Sequence, residues 1–294
     1  MTYNQILLPP GTLWKKLQET THHALQCGAL IPISTESEFV EQDGVIFLVR
    51  ILSNLNHKQT AQKKQDQIIK VSGTEFNPFL PYQEDLFVAD ISETHVCILN
   101  KFNVVDYHLL IITRAFVEQE SLLTGEDFAA MWACLTEFDG LAFYNGGKVA
   151  GASQRHKHLQ IIPLAGNEIP IAPLLTTAKL ENGITTIPAF PFLHAFTTFS
   201  RDQTPQDILS KYYALLDMVS ITANDDRKQS AAYNFLATRN WMLVVPRLKE
   251  DFVSIPVNSL GFAGSLLVKN SAQMQLVKDI GPMNILKNVA ISNI

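Results

Sequence analysis

The chain is short of cysteine, of charge and of long apolar runs, and each shortage excludes a class of protein. Its 294 residues hold only three cysteines, Cys27, Cys97 and Cys134. They are far apart and form no C-x-x-C pair, so a disulfide framework is not expected and a reducing cytoplasm is the default setting. No run of about 18 apolar residues occurs, which excludes an ordinary transmembrane helix. The opening Met1-Thr2-Tyr3-Asn4-Gln5-Ile6 lacks a basic segment followed by a sustained apolar one, so no secretory signal is expected. Charged residues make up 17% of the chain against 47% apolar, with a net charge of −5. That acidic balance argues against a protein that coats nucleic acid. One local shortage says more. Between Gly140 and Asn167 there is no Asp or Glu, while Lys148, Arg155 and Lys157 are present. In an acidic chain such a stretch suits a small anion better than a polymer.

The same stretch contains Ser153-Gln154-Arg155-His156-Lys157-His158-Leu159-Gln160-Ile161-Ile162-Pro163. On a strand, successive side chains point to opposite faces. His156, His158 and Gln160 would form one exposed row, and Lys157, Leu159 and Ile161 the other, two of these three being apolar enough to bury. The first row offers two imidazoles and a carboxamide, which supply a nucleophile, an acid and a neutral hydrogen-bond donor. Upstream, Asn145-Gly146-Gly147 and Ala150-Gly151-Ala152-Ser153 bring small residues whose backbone amides can approach a phosphate. Zinc is the chemical competitor, because two same-face histidines can chelate it. The scattered cysteines and the absence of an H-E-x-x-H helix weigh against it, and no metal site is expected. A purely structural pair is the other alternative. The i, i+2, i+4 spacing after a glycine-rich run favours phosphate chemistry over both.

Elsewhere, helical spacing of Leu13, Leu17, Thr21 and Ala24 predicts an opening helix over residues 11–27. Residues 44–51 read as a strand, as do 86–91, 95–99 and 107–113, with 100–105 a loop. Residues 54–70 are rich in Lys and Gln. Most of their lysines read as solvated charges, and Lys58 is the candidate to reach a polyphosphate. Thr124 caps a helix that Gly140 ends, with Glu126 and Asp127 in its first turn and Phe128, Met131, Trp132, Leu135 and Phe138 facing the core. The prolines at 163, 170, 173, 188 and 191 mark a long connection. Thr204-Pro205 with Asp207 starts another helix, expected to reach about residue 223. Strands at 241–245 and 264–268 and helices at 271–279 and 282–289 complete the chain. Grouped strands with interspersed helices indicate an α+β protein with a largely antiparallel sheet and flanking helices.

The H-x-H-x-Q row resembles the transferase branch of the histidine triad superfamily. With Phe143-Tyr144-Asn145-Gly146-Gly147-Lys148 ahead of it, the chain resembles the ATP adenylyltransferase family, also called diadenosine tetraphosphate phosphorylases. Asn77-Pro78-Phe79-Leu80-Pro81-Tyr82, Leu99-Asn100-Lys101-Phe102 and Asn258-Ser259-Leu260-Gly261-Phe262-Ala263-Gly264-Ser265 agree, so the likeness spans roughly residues 58–269. The resemblance implies a histidine-triad-like fold of two related halves, 1–165 with the catalytic strand and 166–294 completing the nucleotide site. It implies cleavage of diadenosine tetraphosphate by phosphate to ATP and ADP, and the reverse, through an adenylyl-histidine. His158 would be the nucleophile, His156 its support and Gln160 a donor to the same phosphate. Ser153, Gln154, Gly146 and Gly147 would bind the other phosphates. Further contacts carry over to Asn100, Lys101, Asn145, Asn258, Ser259 and Lys269. Of these, Asn100 and Asn258 also read as turn residues, and Lys101 and Lys269 as solvated charges. The expected partners are dinucleoside polyphosphate, ATP, ADP and phosphate, with neither nucleic acid nor membrane. No bound cofactor is implied, although Mg²⁺ would accompany the polyphosphate. A sugar-phosphate nucleotidyltransferase and a non-catalytic nucleotide sensor are the alternatives.

Overall fold

A computed structural model describes residues 5–52, 77–164, 168–179, 183–200, 203–224 and 226–293. Its strands are β1 Thr35–Gln42, β2 Val45–Leu52, β3 Phe87–Asp90, β4 His95–Leu99, β5 Leu109–Thr113, β6 Gly140–Gly146, β7 His158–Pro163, β8 Ala195–Thr198, β9 Tyr233–Ala237, β10 Trp241–Pro246, β11 Asp251–Phe252, β12 Ile255–Pro256 and β13 Ser265–Val268. Helices α1 Leu13–Gln26, α2 Gly125–Leu135, α3 Ala172–Leu175, α4 Pro205–Met218, α5 Ser259–Phe262, α6 Ser271–Ile280 and α7 Pro282–Val289 flank them. Eight strands form one sheet in the order β3-β4-β5-β7-β6-β9-β10-β8, and every neighbouring pair in it is antiparallel. The fold is α+β. A second sheet, β1-β2-β13, joins β13 to β2 in parallel register, although they lie at opposite ends of the chain.

The eight-stranded sheet separates two cores. On one face, Leu13 and Leu17 of α1, Phe128 and Met131 of α2, and Ile208 and Leu215 of α4 pack on Ala142, Tyr144, Leu159 and Ile161. On the other, Leu141 and Leu236 meet Val45, Phe47 and Val49 of β2 and Ile285 and Leu286 of α7. Each fully buried aliphatic side chain contributes about 1.5–3 kcal/mol relative to exposure. Strands covered on both sides lose the polar alternation that marks a half-exposed strand. That is why β6 and β9, buried along their whole length, do not announce themselves. Gly140 opens β6, and α2 stops earlier, at Leu135. Two other boundaries move for backbone reasons. Tyr107 has φ +57°, so β5 starts only at Leu109. Ser220 has φ +58°, and α4 ends at Met218 rather than near residue 223.

The row Lys157, Leu159, Ile161 faces the helices, and Lys157 is as buried as its apolar neighbours. Its Nζ meets Asp127 Oδ2 at 2.5 Å and donates to the Leu122 carbonyl at 2.9 Å. Asp127 also accepts from the Thr124 amide and hydroxyl in a capping box, and its Oδ1 lies 3.0 Å from His95 Nε2. Burial pushes the Asp127 carboxyl up, but the charges and hydrogen bonds of Lys157 and His95 hold it below the ordinary range. One acid thus caps α2 and neutralises the cation on the strand that carries the histidines. Asp127→Ala strands a buried ammonium and should cost about 3–5 kcal/mol in urea unfolding. Adding Lys157→Met should recover part of that loss. A single-variant cost below about 1 kcal/mol would show that the pair does not hold the strand.

Candidate active site

Strand β7 lies between β5 and β6, with His158 opposite Ile112, and Gln160 opposite both Leu110 and Phe143. His156 lies just ahead of β7, bridged to Glu118. The row His156, His158, Gln160 shares one face as the alternation requires, but it is buried rather than exposed: Phe79 packs over both histidines, and His158 and Gln160 lie at the base of a cavity. That cavity has a volume of about 800 Å³. His158 and Gln160 line it, together with Phe79, Asn100, Lys101, His108, Phe143, Asn145, Ser153, Gln154 and Asn258. Among the described lining residues Arg50 and Lys101 are the cations, and none is Asp or Glu.

His158 Nδ1 lies 2.8 Å from the His156 carbonyl oxygen. A carbonyl can only accept, so Nδ1 carries the proton and Nε2 keeps its lone pair. Nε2 has no hydrogen-bond partner among the described residues. Burial lowers the pKa of His158 to about 4, against the hydrogen bond to His156, which raises it. The ring is therefore neutral and nucleophilic at pH 7. Phe79 packs edge-on against both histidines, with centroids 5.2 Å from His158 and 5.7 Å from His156.

His156 does not line the cavity. Its Nε2 donates to the Thr113 carbonyl at 2.8 Å, and its Nδ1 lies 2.9 Å from the Asn77 amide nitrogen. Both ring nitrogens are spent on holding the residue whose carbonyl orients His158. Burial lowers its pKa too, against hydrogen bonds to the backbone at Thr113 and Ala115. Gln119 does similar work from the side. Its Oε1 accepts from the His158 amide at 2.8 Å, and its Nε2 donates to the carbonyls of Asn145 and His158 at 2.9 and 3.2 Å. The clamp bridges β6 and β7 beyond their last paired residues.

Gln160 is oriented by His108. Asn100 Nδ2 lies 3.2 Å from His108 Nδ1, and His108 Nε2 lies 3.0 Å from Gln160 Oε1. In the consistent assignment the amide of Asn100 donates, His108 passes the polarity on, and Gln160 Oε1 accepts. The carboxamide nitrogen of Gln160 is then the end available as a donor.

The glycine-rich loop wraps the cavity rim. Gly147 and Gly151 have φ +86° and +94°, and a Cβ on Gly151 would come within 2.8 Å of Asn258 Cβ. Asn145 Oδ1 accepts from the Ser259 amide and from Asn234 Nδ2, both at 2.9 Å. Only its Nδ2 remains for a ligand. Asn234 Nδ2 also donates to the Ala150 carbonyl, and its Oδ1 accepts from the buried Arg247. Burial lowers the Arg247 pKa to about 10, so it stays charged at neutral pH. Ser259 is fully buried in this network, away from the cavity lining. Gly146 and Gly147 shape the loop without lining the cavity, and Lys269 is exposed outside it. Lys58 lies outside the described residues. His108, Gln119, Asn234 and Arg50 had no local signal in the sequence, whereas Asn77 and Phe79 sit in one of the recognised blocks. A group of metal-type donors within 4.8 Å of one another, His23, Cys27 and Asp85, lies on the surface, and none of the three lines the cavity.

Residues 3–177 match the family model of the Ap4A phosphorylase N-terminal domain, and residues 188–292 that of the ATP adenylyltransferase C-terminal domain. The chain belongs to the Ap4A phosphorylase family. Among relatives of the family, it is 30% identical over 230 residues to diadenosine 5',5'''-P1,P4-tetraphosphate phosphorylase 2 of Saccharomyces cerevisiae, covering 68% of this chain and 70% of that one. Protein APA1 of the same yeast is 28% identical over 202 residues, 61% of this chain and 63% of APA1. The crystal structure of yeast Ap4A phosphorylase Apa2 superposes with a TM-score of 0.80 over 98% of this chain and 100% of that one, at 23% identity. At that identity the superposition speaks for the fold. The two family models meet between residues 177 and 188, and the eight-stranded sheet of this Ap4A phosphorylase family member runs through both.

The tautomer of His158 has a direct readout. In ¹⁵N spectra of histidine-labelled protein, His158 should show a protonated Nδ1 and a bare Nε2 at pH 7. It should gain its second proton only as the pH falls toward about 4. A midpoint near the ordinary 6.5 would overturn the buried, neutral assignment.

Proposed function

We propose that this enzyme, a nucleotidyltransferase, cleaves diadenosine tetraphosphate with inorganic phosphate to ATP and ADP, and in reverse transfers an adenylyl group from ATP to ADP. The observation that carries this reading is His158: a neutral imidazole, its Nδ1 proton tied to the His156 carbonyl at 2.8 Å, on the wall of a cavity that the described residues line with cations and no carboxylate. The family models and the yeast relatives favour it over sugar-phosphate transfer. A bare nucleophile favours turnover over mere nucleotide sensing.

In the first step the Nε2 lone pair of His158 attacks the α-phosphorus. The N–P bond forms, the P–O bond to the remaining three phosphates breaks, and ATP leaves as an anion needing no proton. The ring now carries positive charge, and the His156 carbonyl that accepts from Nδ1 stabilises it. Phosphate then attacks the adenylyl phosphorus, the N–P bond breaks, and ADP leaves with neutral imidazole restored. Gln160 donates from its nitrogen to a nonbridging oxygen as charge spreads over the phosphoryl group. Ser153, Gln154, Lys101 and the Asn145 Nδ2 serve the neighbouring phosphates. Mg²⁺ arriving with the polyphosphate would be held mainly by substrate oxygens. Three free thiols and the nucleotide substrates suit a cytoplasmic setting. Among the described residues no helix is long and apolar enough to cross a membrane.

Diadenosine tetraphosphate labelled at the α-phosphate should leave acid-labile label on the protein, absent in His158→Ala. That variant should lose at least about 10³-fold in turnover. Label surviving the substitution would sink the assignment, and equal rates with and without phosphate would mark a hydrolase instead. Gln160→Ala should keep the labelling chemistry but slow it by about 10²-fold. A loss of less than about threefold would remove Gln160 from charge stabilisation.

A further inference from the structure

Arg50 has no role in the fold that accounts for its charge. On β2 the buried positions Val45, Phe47 and Val49 face the core, and Arg50 belongs to the opposite row. Its register partner on β13 is Leu267, and both residues line the cavity. The Arg50 Nε is buried without a hydrogen-bond partner, and no ion pair to it is formed among the described residues. The carboxylate whose charge it feels is Asp106, which is exposed and does not line the cavity. Burial lowers its pKa, with Asp106 opposing. A guanidinium whose Nε is desolvated and unpaired is costly, and the cost is recovered only when an acceptor arrives. The fork of Nε and Nη matches two oxygens of one phosphoryl group.

We propose that Arg50 forms an anion subsite in the cavity that binds a phosphoryl group other than the one His158 attacks. The proposal rests on the phosphorolytic reading above. The phosphoryl group belongs either to the polyphosphate chain beyond the attacked phosphorus or to the incoming orthophosphate, and both present the same chemistry to a guanidinium. Lys101 differs, since its Nζ already donates to Gln83 Oε1 at 3.1 Å. Among the described lining residues Arg50 is therefore the cation whose buried donor is left for the ligand.

The test compares the full-length protein with Arg50→Gln and Arg50→Lys. Arg50→Gln should raise a KM by tenfold or more with kcat changed much less, and Arg50→Lys should lie between, keeping charge without the fork. A rise in KM for diadenosine tetraphosphate, with a matching shift in the concentration that half-labels His158 in the absence of phosphate, assigns the subsite to the polyphosphate. A rise in KM for phosphate alone, with labelling unchanged, assigns it to the second substrate. A merely structural Arg50 would lower the melting temperature on substitution, whereas relief of an unpaired buried donor leaves it equal or higher. Calorimetry with inorganic tripolyphosphate separates this idea from the reading beneath it. Tripolyphosphate binding weakened tenfold in Arg50→Gln supports the subsite even in a wild-type protein that fails to turn over the dinucleotide. Both KM values and the tripolyphosphate affinity within twofold of wild type would overturn the proposal. Arg50→Met repeats the comparison should the Gln variant not fold.

Discussion

The buried pair of Lys157 and Asp127 is the constraint on which the active face depends. A strand with a period of two can slip by one residue and turn every side chain over. Here a slip would carry Lys157 into the cavity and His158 into the apolar core beside α2. Lys157 is tied to Asp127 and the Leu122 carbonyl, and Asp127 is tied to the first turn of α2. Moving the strand would leave the Asp127 carboxylate buried without its cation, which costs several kcal/mol. Specificity of register, rather than net stability, is the sounder account of why an ion pair stands where two apolar residues could pack.

The sheet therefore separates two electrostatic regimes. Behind it, the cation is matched by a carboxylate and hydrogen-bonded at short range. In front of it, cations face a cavity lined, among the described residues, by no carboxylate, which leaves their counter-charge to a ligand. Arg247 shows a third solution. Its guanidinium is buried against carbonyl oxygens of Ala150, Val257, Lys249 and Val289 and the Asn234 side chain. Spreading one charge over neutral acceptors lets it pin the glycine-rich loop and the C-terminal segment without placing an acid near the phosphate site.

The reactive face is legible in the sequence because period-two alternation is a local property. His156, His158 and Gln160 share a face by spacing alone, and the capping boxes at Thr124 and Thr204 are equally local. The strands that go unread are those whose information is not local. The central strands β6 and β9 are buried on both faces and carry no alternation to read. β1, with Thr35, Glu36, Ser37, Glu38, Glu41 and Gln42, reads as a polar segment and becomes a strand by pairing with β2. His108 lies 52 residues from Gln160, and Gln119 lies 39 from His158, so only the folded sheet brings them together. The family resemblance put Ser259 in contact with substrate. The structure instead spends it on Asn145, one step removed from the cavity.

The use of glutamine at position 160 follows from what its neighbours leave open. A third histidine there could shuttle a proton to a leaving group or take one from water. His108 instead holds the carboxamide oxygen, which leaves a neutral donor that titrates nowhere near pH 7. On the proposed mechanism such a donor stabilises charge on phosphorus but cannot activate water against an adenylyl-histidine. The leaving polyphosphate needs no proton, and phosphate arrives already anionic, so neither half of the exchange misses an acid or a base. His158, buried against Phe79 and hydrogen-bonded through Nδ1, adds the other half of the argument. On the proposed reading an imidazole held neutral by burial is ready to attack at any pH well above about 4. On that reading the choice of acceptor is set by which anion the cavity's cations admit, not by acid–base chemistry at the phosphorus.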